Sequence, residues 1–395
     1  MANLSLKREY RAGDVTYVDR RRYLWALSPF WATFPLIGIY LAELSSWEIF
    51  YWLSPLFFYG LVGALDHVVG SDPNNPPEEI VPLLEADSYY RFITYVMVPV
   101  HYLVFLLSAW WIGTQELSWF AFLGLTLSVG LLGGLAINTG HELGHKKTAL
   151  ERRLAKITLA VIGYGHFGIE HNRGHHHDVA TPQDSASARF GESIYKFAKR
   201  EMIGGWRRAW AIETDRLARK GQSPWSLENE IIPPLLLTIG LYAGVLAAFG
   251  PIVLPFLILQ GVVGWFQLTS ANYVEHYGLL RAKAADGRYE PPQPVHSWNS
   301  NRVASNLLLL QLQRHSDHHA WPTRRYQALR SYDNLPELPS GYPLMFLAAM
   351  IPPLWRKLMD RRLVDLVGGD LTKVNIDPDA APALMAKYRQ APSAA

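Results

Sequence analysis

"WFAFLGLTLSVGLLGGLAINTGHELGHKK", residues 119–147, runs an uncharged apolar stretch straight into two histidines four residues apart. Trp119 to Asn138 has the length that a bilayer core requires of a helix, roughly twenty apolar residues. If that helix continues, His141 and His145 project from one face, one turn apart. A span that ends in paired imidazoles sets the question for the rest of the chain: how many more spans exist, and what else gathers at their ends.

Five other stretches meet the length test: Leu24 to Leu44, Trp47 to Val69, Phe92 to Ile112, Ile232 to Phe249 and Ile252 to Ser270. Links 42–48 and 113–118 carry no Lys or Arg, and the last two spans meet at Phe249-Gly250-Pro251, whereas the N-terminus, Lys146 to Lys156 and the C-terminal third are rich in both. The positive-inside rule then places both termini and the long polar segments in the cytoplasm, with the protein in the inner membrane. The acidic, Pro-rich link Ser71 to Arg91 weighs little in that rule. Two apolar runs, Ile157 to Gly168 and Tyr342 to Trp355, are too short to cross and read as buried or interfacial.

The expected architecture is an all-α integral membrane protein, with six transmembrane helices and a cytoplasmic helical and loop cap carrying the histidines. It forms one catalytic domain over 1–395: a cytoplasmic segment 1–22, a cap built from 139–231 and 271–377, and a flexible Pro/Ala-rich tail, 378–395. Lys7, Arg8, Arg11, Arg20, Arg21 and Arg22 without a short apolar core do not make a signal peptide. Overall, 49% of residues are hydrophobic and 13% aromatic, yet mean hydropathy is only +0.02, so apolar and polar territory are kept apart. A net charge of +3 and the lack of basic stretches interleaved with aromatics exclude a nucleic-acid binder. Cys is absent, which excludes disulfides, thiolate metal sites and Cys nucleophiles.

Any metal must therefore sit on His, Asp or Glu. After His141 and His145, "HNRGHH" supplies His171, His175 and His176; "NYVEHYG" supplies His276 just beyond the last span; "RHSDHH" supplies His315, His318 and His319. Each group lies at or beyond the same end of a predicted helix, so the groups can converge. His67, His101, His166, His177 and His296 stand alone or outside the spacing and read as packed, hydrogen-bonded or snorkelling residues. Nine imidazoles exceed the needs of one ion, since a catalytic zinc takes three protein ligands and keeps a position open. Two metals fit the count, and adjacent pairs such as His175-His176 either split between two ions or approach one from different angles. Imidazole suits zinc, copper, nickel and iron alike. "HELGH" also matches the zinc-protease motif H-E-x-x-H, but such a site leaves six of the nine histidines unused. A metal transporter would carry its ligands near mid-membrane instead.

"NTGHELGHKK", "EHNRGHHHDVATP", "NYVEHYGL" and "LQRHSDHHAWPTRRYQ" together resemble the alkane 1-monooxygenase family, also called alkane omega-hydroxylases. That family lies within the membrane histidine-box di-iron superfamily that includes fatty-acid desaturases. "NYVEHYG" is the most discriminating element, and the resemblance runs from "YLWALSPFW" at Tyr23 to "GGDL" at Gly368. It implies a non-haem di-iron site on His141, His145, His171, His175, His176, His276, His315, His318 and His319, and leaves out His177. It further implies O2-dependent terminal hydroxylation of medium-chain n-alkanes to primary alcohols, with electrons from a rubredoxin reduced by an NADH-dependent reductase. No dinucleotide fingerprint or Cys is present to hold a flavin, haem or iron-sulfur centre, or a fused rubredoxin, within these residues. A desaturase or hydroxylase of the same superfamily acting on another lipid chain is the second reading.

Carboxylates are expected to orient ring N–H groups from behind. Glu142, Glu275 and Asp317 adjoin or lie inside the boxes; Asp184, Glu170 and Asp178 are further candidates. Aromatics of "FYWLSPLFFYG", residues 50–60, are candidate walls for an alkane channel, with Phe58 its limit on chain length. Lys146, Lys147, Arg152, Arg153, Arg324, Arg325 and Arg330 form the expected basic surface for an acidic donor, or for anionic lipid.

Overall fold

The computed structural model describes residues 8–389. Lys7 and the ends of the expected N-terminal segment and tail lie outside the described residues.

The helix opened by Trp119 is the axis of the molecule. Ser118 caps it, its hydroxyl accepting from the Ala121 N–H at 3.1 Å, and it continues past the expected end at Asn138 to Gly144. It is apolar on every side and buried along most of its length, as a helix ringed by others must be. Small residues let neighbours approach: a Cβ on Gly133 would stand 3.2 Å from the Cα of Gly264, and one on Gly264 would stand 3.1 Å from the Cα of Gly133. This backbone-to-backbone crossing with the Leu254–His276 helix is the packing that membrane helices favour when apolar burial gives no preference between lipid and protein. It also fixes the two helix ends that carry His141 and His276.

Around this axis stand helices Glu48–Val69, Ser88–Thr114, Ile232–Phe249 and the paired segments Leu27–Trp31 and Phe34–Ser45. Five helices are long and apolar enough to cross a membrane, or six if the bent pair is counted as one span. The expected first span, Leu24 to Leu44, is thus not one helix: it bends by 58° between Trp31 and Phe34. Pro35 is the cause, since it has no N–H to continue the ladder and disfavours helical geometry in the residue before it. The Thr33 hydroxyl donates to Phe30 O at 2.7 Å and seals the break. Phe34–Ser45 alone would reach only about 18 Å.

The turns between spans gather at one end: Ser118 donates to Glu48 at 2.6 Å, and Gly113 lies against the Phe249 side chain. Every long polar segment gathers at the other. The acidic link after Val69 is tied there by Arg314, whose guanidinium donates to the carbonyls of Asp72 at 2.8 Å, Asn74 at 3.1 Å and Leu329 at 2.7 Å. Asp66, fully buried, accepts from the Ser305 N–H at 2.9 Å. The short run 157–168 crosses nothing: after the Ala149–Ala160 helix its backbone turns beneath the spans. Thr238 donates to the Ala160 carbonyl at 2.8 Å and Tyr242 to that of Val161 at 3.0 Å, giving irregular backbone the partners it needs at membrane depth.

The chain is mostly helical, as expected, and two details differ. Arg8–Ala12 and Val15–Asp19 form an antiparallel hairpin, with Tyr10 opposite Tyr17 and Gly13 at φ 57° in the two-residue turn. Its buried Tyr10 donates to Asp87 at 2.7 Å, clamping the hairpin to the start of the Ser88–Thr114 helix. Beyond residue 378 the segment expected as a flexible tail carries the helix Ala381–Arg389, with Leu384 buried against the site of Gly191, and Lys196 pairs with Asp377 at 2.8 Å.

The Gly133–Gly264 crossing yields a direct test. Gly264→Val should lower stability by about 1–3 kcal/mol through overpacking, read as a lower melting temperature of the detergent-purified protein. Gly240→Val, where an added Cβ meets nothing within 4 Å, should melt no lower than the parent.

Candidate metal centre

His141 lies in the last turn of the Trp119–Gly144 helix and His145 caps it, their rings 4.9 Å apart. His171, His175 and His176 lie on a helical stretch, 167–178, whose centre, Glu170–His175, winds as a π-helix. Bonding from i to i+5 widens the turn, so that residues four and five along straddle the direction of residue i. That local widening sets the adjacent His175 and His176 to either side of the direction of His171, so that all three rings face inward. His276 ends the Leu254–His276 helix, and His315, His318 and His319 sit on the short helix His315–Ala320.

The nine rings divide into two groups. His141, His145, His171, His176 and His318 form one; His175, His276, His315 and His319 form the other; within each, one nitrogen per residue lies within 4.8 Å of all the rest. Both adjacent pairs, His175-His176 and His318-His319, split between the groups. His67, His101, His166, His177 and His296 belong to neither. His177 is exposed and pairs with Asp178 at 2.6 Å; His296 contributes its carbonyl, which stands 3.2 Å from His276 Nδ1.

The arrangement fits metal ions. Nε2 of His141 stands 2.8 Å from Nε2 of His318, His176 is 3.0 Å from His171 and 3.1 Å from His318, and His319 is 2.9 Å from His315. Nitrogens each about 2.0–2.1 Å from one ion and at right angles would stand about 3 Å apart. Buried Nε2 atoms of His145, His175 and His276 have no hydrogen-bond partner among the described residues. Burial, reinforced by neighbouring imidazoles, holds His171, His176, His315, His318 and His319 well below the usual imidazole range. These five rings are therefore neutral, the form that ligates metal, whereas His175 is the exception: burial lowers it, but Asp184 outweighs that and holds it above the usual imidazole range.

Carboxylates beside the rings take distinct places. Asp184 Oδ2 accepts from His175 Nδ1 at 2.8 Å and from the Ser187 hydroxyl at 2.6 Å, while its other oxygen accepts from the Ala186 N–H at 3.1 Å. Burial alone would raise its pKa, but the His175 ring and these donors outweigh it and hold it below the usual carboxylate range. Glu170 nearby is raised, by burial first and then by the charge of Asp184. Glu275 is not behind its ring: one oxygen stands 3.3 Å from His315 Nε2, the nitrogen that also faces His319 at 2.9 Å, and its other accepts from the Tyr342 hydroxyl at 2.5 Å.

Glu142 and Asp317 differ from expectation, for neither forms a hydrogen bond or ion pair with an imidazole among the described residues. Glu142 pairs with Lys146 at 3.0 Å and accepts from the Tyr326 N–H at 3.2 Å. Asp317 accepts from Arg324 at 2.7 Å, Arg330 N–H at 3.1 Å and the Tyr332 hydroxyl at 2.5 Å. Both brace the loops behind the boxes. The expected basic surface is reduced by the same contacts: Lys146 is only 4% exposed, Arg324 serves Asp317 and Arg325 serves Glu151 at 2.8 Å. Lys147, Arg152 and Arg153 stay exposed.

A narrow apolar cavity of about 50 Å³ ends on the rings. Trp31, Phe58, Leu135, Leu309 and Phe346 wall it, and His141, His171, His315 and Glu275 close it. Phe58 lies buried in the π-wound stretch Leu56–Val62 and stacks on Trp31, centroids 5.5 Å apart. Tyr342 went unread in the sequence because it opens an apolar run with nothing to distinguish it from core.

Loss of an outer carboxylate typically weakens metal binding about 10–100-fold. Asp184→Asn should do so, measured as metal retained per chain on dialysis against chelator, whereas His177→Ala should retain the parent content. His145→Ala and His319→Ala should each deplete one of two ions.

Residues 117–348 match the family model described as fatty acid desaturase. The chain is 57% identical over 372 residues to an alkane 1-monooxygenase of Ectopseudomonas oleovorans, covering 94% of this chain and 93% of the relative. It is 56% identical over 367 residues to alkane 1-monooxygenase 1 of Alcanivorax borkumensis, covering 93% and 91%. With an alkane 1-monooxygenase of Acinetobacter baylyi it shares 41% identity over 385 residues, covering 95% and 93%. Two imidazole groups at the ends of apolar helices and relatives matched over nearly their whole length lead to one assignment: the chain belongs to the alkane 1-monooxygenase family, within the histidine-box membrane superfamily of the fatty acid desaturases.

Proposed function

We propose that the protein hydroxylates the terminal methyl of medium-chain n-alkanes, using O2 and two electrons to give a primary alcohol and water. The observation that carries this reading is a bore of apolar side chains ending on two groups of buried imidazoles. An alkane offers no polar handle, so its binding draws on apolar burial alone, about 0.8 kcal/mol per methylene, or roughly 6 kcal/mol for eight carbons before ordering costs. Such a ligand already concentrates in the bilayer. Selecting a strong terminal C–H over weaker internal ones then falls to the shape of the bore, which admits a chain end first.

Two irons, one held by His141, His145, His171, His176 and His318 and the other by His175, His276, His315 and His319, would supply the O2 activation and C–H oxidation. The chain's own residues do the rest. Asp184 fixes the ring of His175, and the Tyr342 hydroxyl holds Glu275 beside His315. Trp31, Phe58 and Phe346 keep water out and line the alkane path. Electrons would come from rubredoxin, reduced by an NADH-dependent reductase and docked on the cytoplasmic face near Lys147, Arg152 and Arg153. The boxes and both termini would then face the cytoplasm across the inner membrane.

A zinc protease is disfavoured by Glu142. The general base of H-E-x-x-H must face metal-bound water, but this carboxylate is turned to Lys146 and the Tyr326 N–H. Against a lipid desaturase stand the names and high identity of the relatives.

Detergent-purified protein assayed with octane, rubredoxin, its reductase, NADH and O2 should contain two irons per chain and form 1-octanol only with all components present. One zinc, no iron and no alcohol would refute the proposal. Phe58→Ala should extend the product range to longer alkanes; an unchanged chain-length profile would remove Phe58 as the limit. Raising salt should slow rubredoxin-driven turnover while sparing an electron source that bypasses docking.

A further inference from the structure

A second cavity, about 370 Å³, opens where the turned backbone at 162–166 meets the Leu254–His276 helix. Its walls are Ile162, Tyr164, Trp206, Leu257, Val262 and Trp265, and its size falls within the range of small-molecule pockets, about 300–1,000 Å³. Ile258 is 56% exposed and Val262 48%, so its mouth faces the surface that lipid would cover. The lining is not wholly apolar: besides the Tyr242 hydroxyl, which donates to the Val161 carbonyl at 3.0 Å, and Trp265 Nε1, which has no hydrogen-bond partner among the described residues, it includes His166. His166 is 7% exposed, and neither ring nitrogen has a hydrogen-bond partner among the described residues.

That is a costly arrangement unless something satisfies the ring, since a buried unpaired polar group costs about 1–3 kcal/mol. The rings of Tyr164 and Trp206 meet the imidazole edge to face, centroids 4.4 and 4.9 Å away. An aromatic face can receive the ring N–H. It cannot donate to the second nitrogen. A neutral imidazole keeps one acceptor lone pair, so the missing partner must bring an O–H or N–H donor while its remainder matches apolar walls. An alkane has no such donor; a primary alcohol has one, at the end of an unbranched chain.

The pocket also adjoins the reaction cavity. Tyr164 lines this pocket and Phe167 the reaction cavity, and their rings stack at 5.8 Å, forming the partition. Phe167 in turn stacks on His171 at 4.8 Å. We propose that this pocket is a second ligand site, selective for the medium-chain primary alcohol, whose hydroxyl donates to His166 and whose chain lies on Leu257, Val262 and Trp265 beside the lipid. The proposal rests on the reading that the alcohol is the product. It gives the alcohol a way station between the metal centre and the bilayer that the alkane does not share.

The test uses the full chain in phosphatidylcholine nanodiscs and an octanol analogue bearing a diazirine on its chain, with labelled peptides mapped after photolysis. Labelling of 162–166 and 257–265 is expected. It should be competed by 1-octanol at about three- to tenfold lower concentration than by octane, the value of one buried hydrogen bond. His166→Leu should erase that difference. Equal competition by octane and octanol in the parent protein overturns the proposal and leaves water as the partner of His166. Discrimination that survives in His166→Leu overturns it too, and so does stronger competition by dioctanoylglycerol, which would mark a lipid site. Octane oxidation assayed on the same sample separates the two readings. Turnover with no alcohol discrimination removes only the pocket, while discrimination without turnover leaves an alcohol site and removes the proposed reaction.

Discussion

Imidazole nitrogens gathered within about 3 Å of one another in groups of four and five cannot all be satisfied by hydrogen bonds among themselves, because each neutral ring offers a single N–H. Nine rings are nevertheless held in two such groups, and much of the architecture serves to impose that arrangement. Two helices cross at glycine contact so that their ends deliver His141 and His276 to one place. A π-wound stretch presents His171, His175 and His176 together, and the loops around His315 are clasped by Arg314, Asp317 and Asn299. A cation in each group would satisfy those nitrogens and so link folding to metal binding thermodynamically.

The membrane sets the second constraint, and the fold meets it with side chains rather than with regular structure. Backbone that departs from helix at 161–166 is paired to Thr238 and Tyr242 of a neighbouring helix. Burying the Glu142–Lys146 pair fixes the first histidine box from behind, at a desolvation cost offset by the Tyr326 N–H and by the carbonyl of Arg324, which accepts from Lys146 at 2.7 Å. A carboxylate that the sequence motif suggests as a catalytic base is thereby a brace.

Spans and histidines were legible because both leave periodic or countable signals. Ile232–Phe249 matches its expected bounds, and all nine box histidines fall within the two groups. What escaped depends on single residues. "REYRAGDVTYVD" carries the alternation and Gly-Asp turn of a hairpin, but its basic residues drew the reading toward a solvated segment. Pro35 sits inside an apolar run, where hydropathy registers length and not a bend. The π-winding at 170–175 has no composition signal; it shows only in the pairing that it makes possible. Charge was misread for a related reason. Lys146, Arg324 and Arg325 look like surface in a sequence, and only pairing with buried Glu142, Asp317 and the sequence-remote Glu151 takes them inward.

The division of ligands between the two groups has a consequence for biogenesis. His318 completes the group begun by His141, and His315 and His319 complete the one that holds His175, so neither is whole until the last box has left the ribosome. By then every apolar helix long enough to cross a membrane has been synthesised, and the clasp of Arg314 on the 72–74 carbonyls can close. Metal binding to these groups would therefore be a late event, and a chain stalled before residue 315 would hold four imidazoles of one group and two of the other.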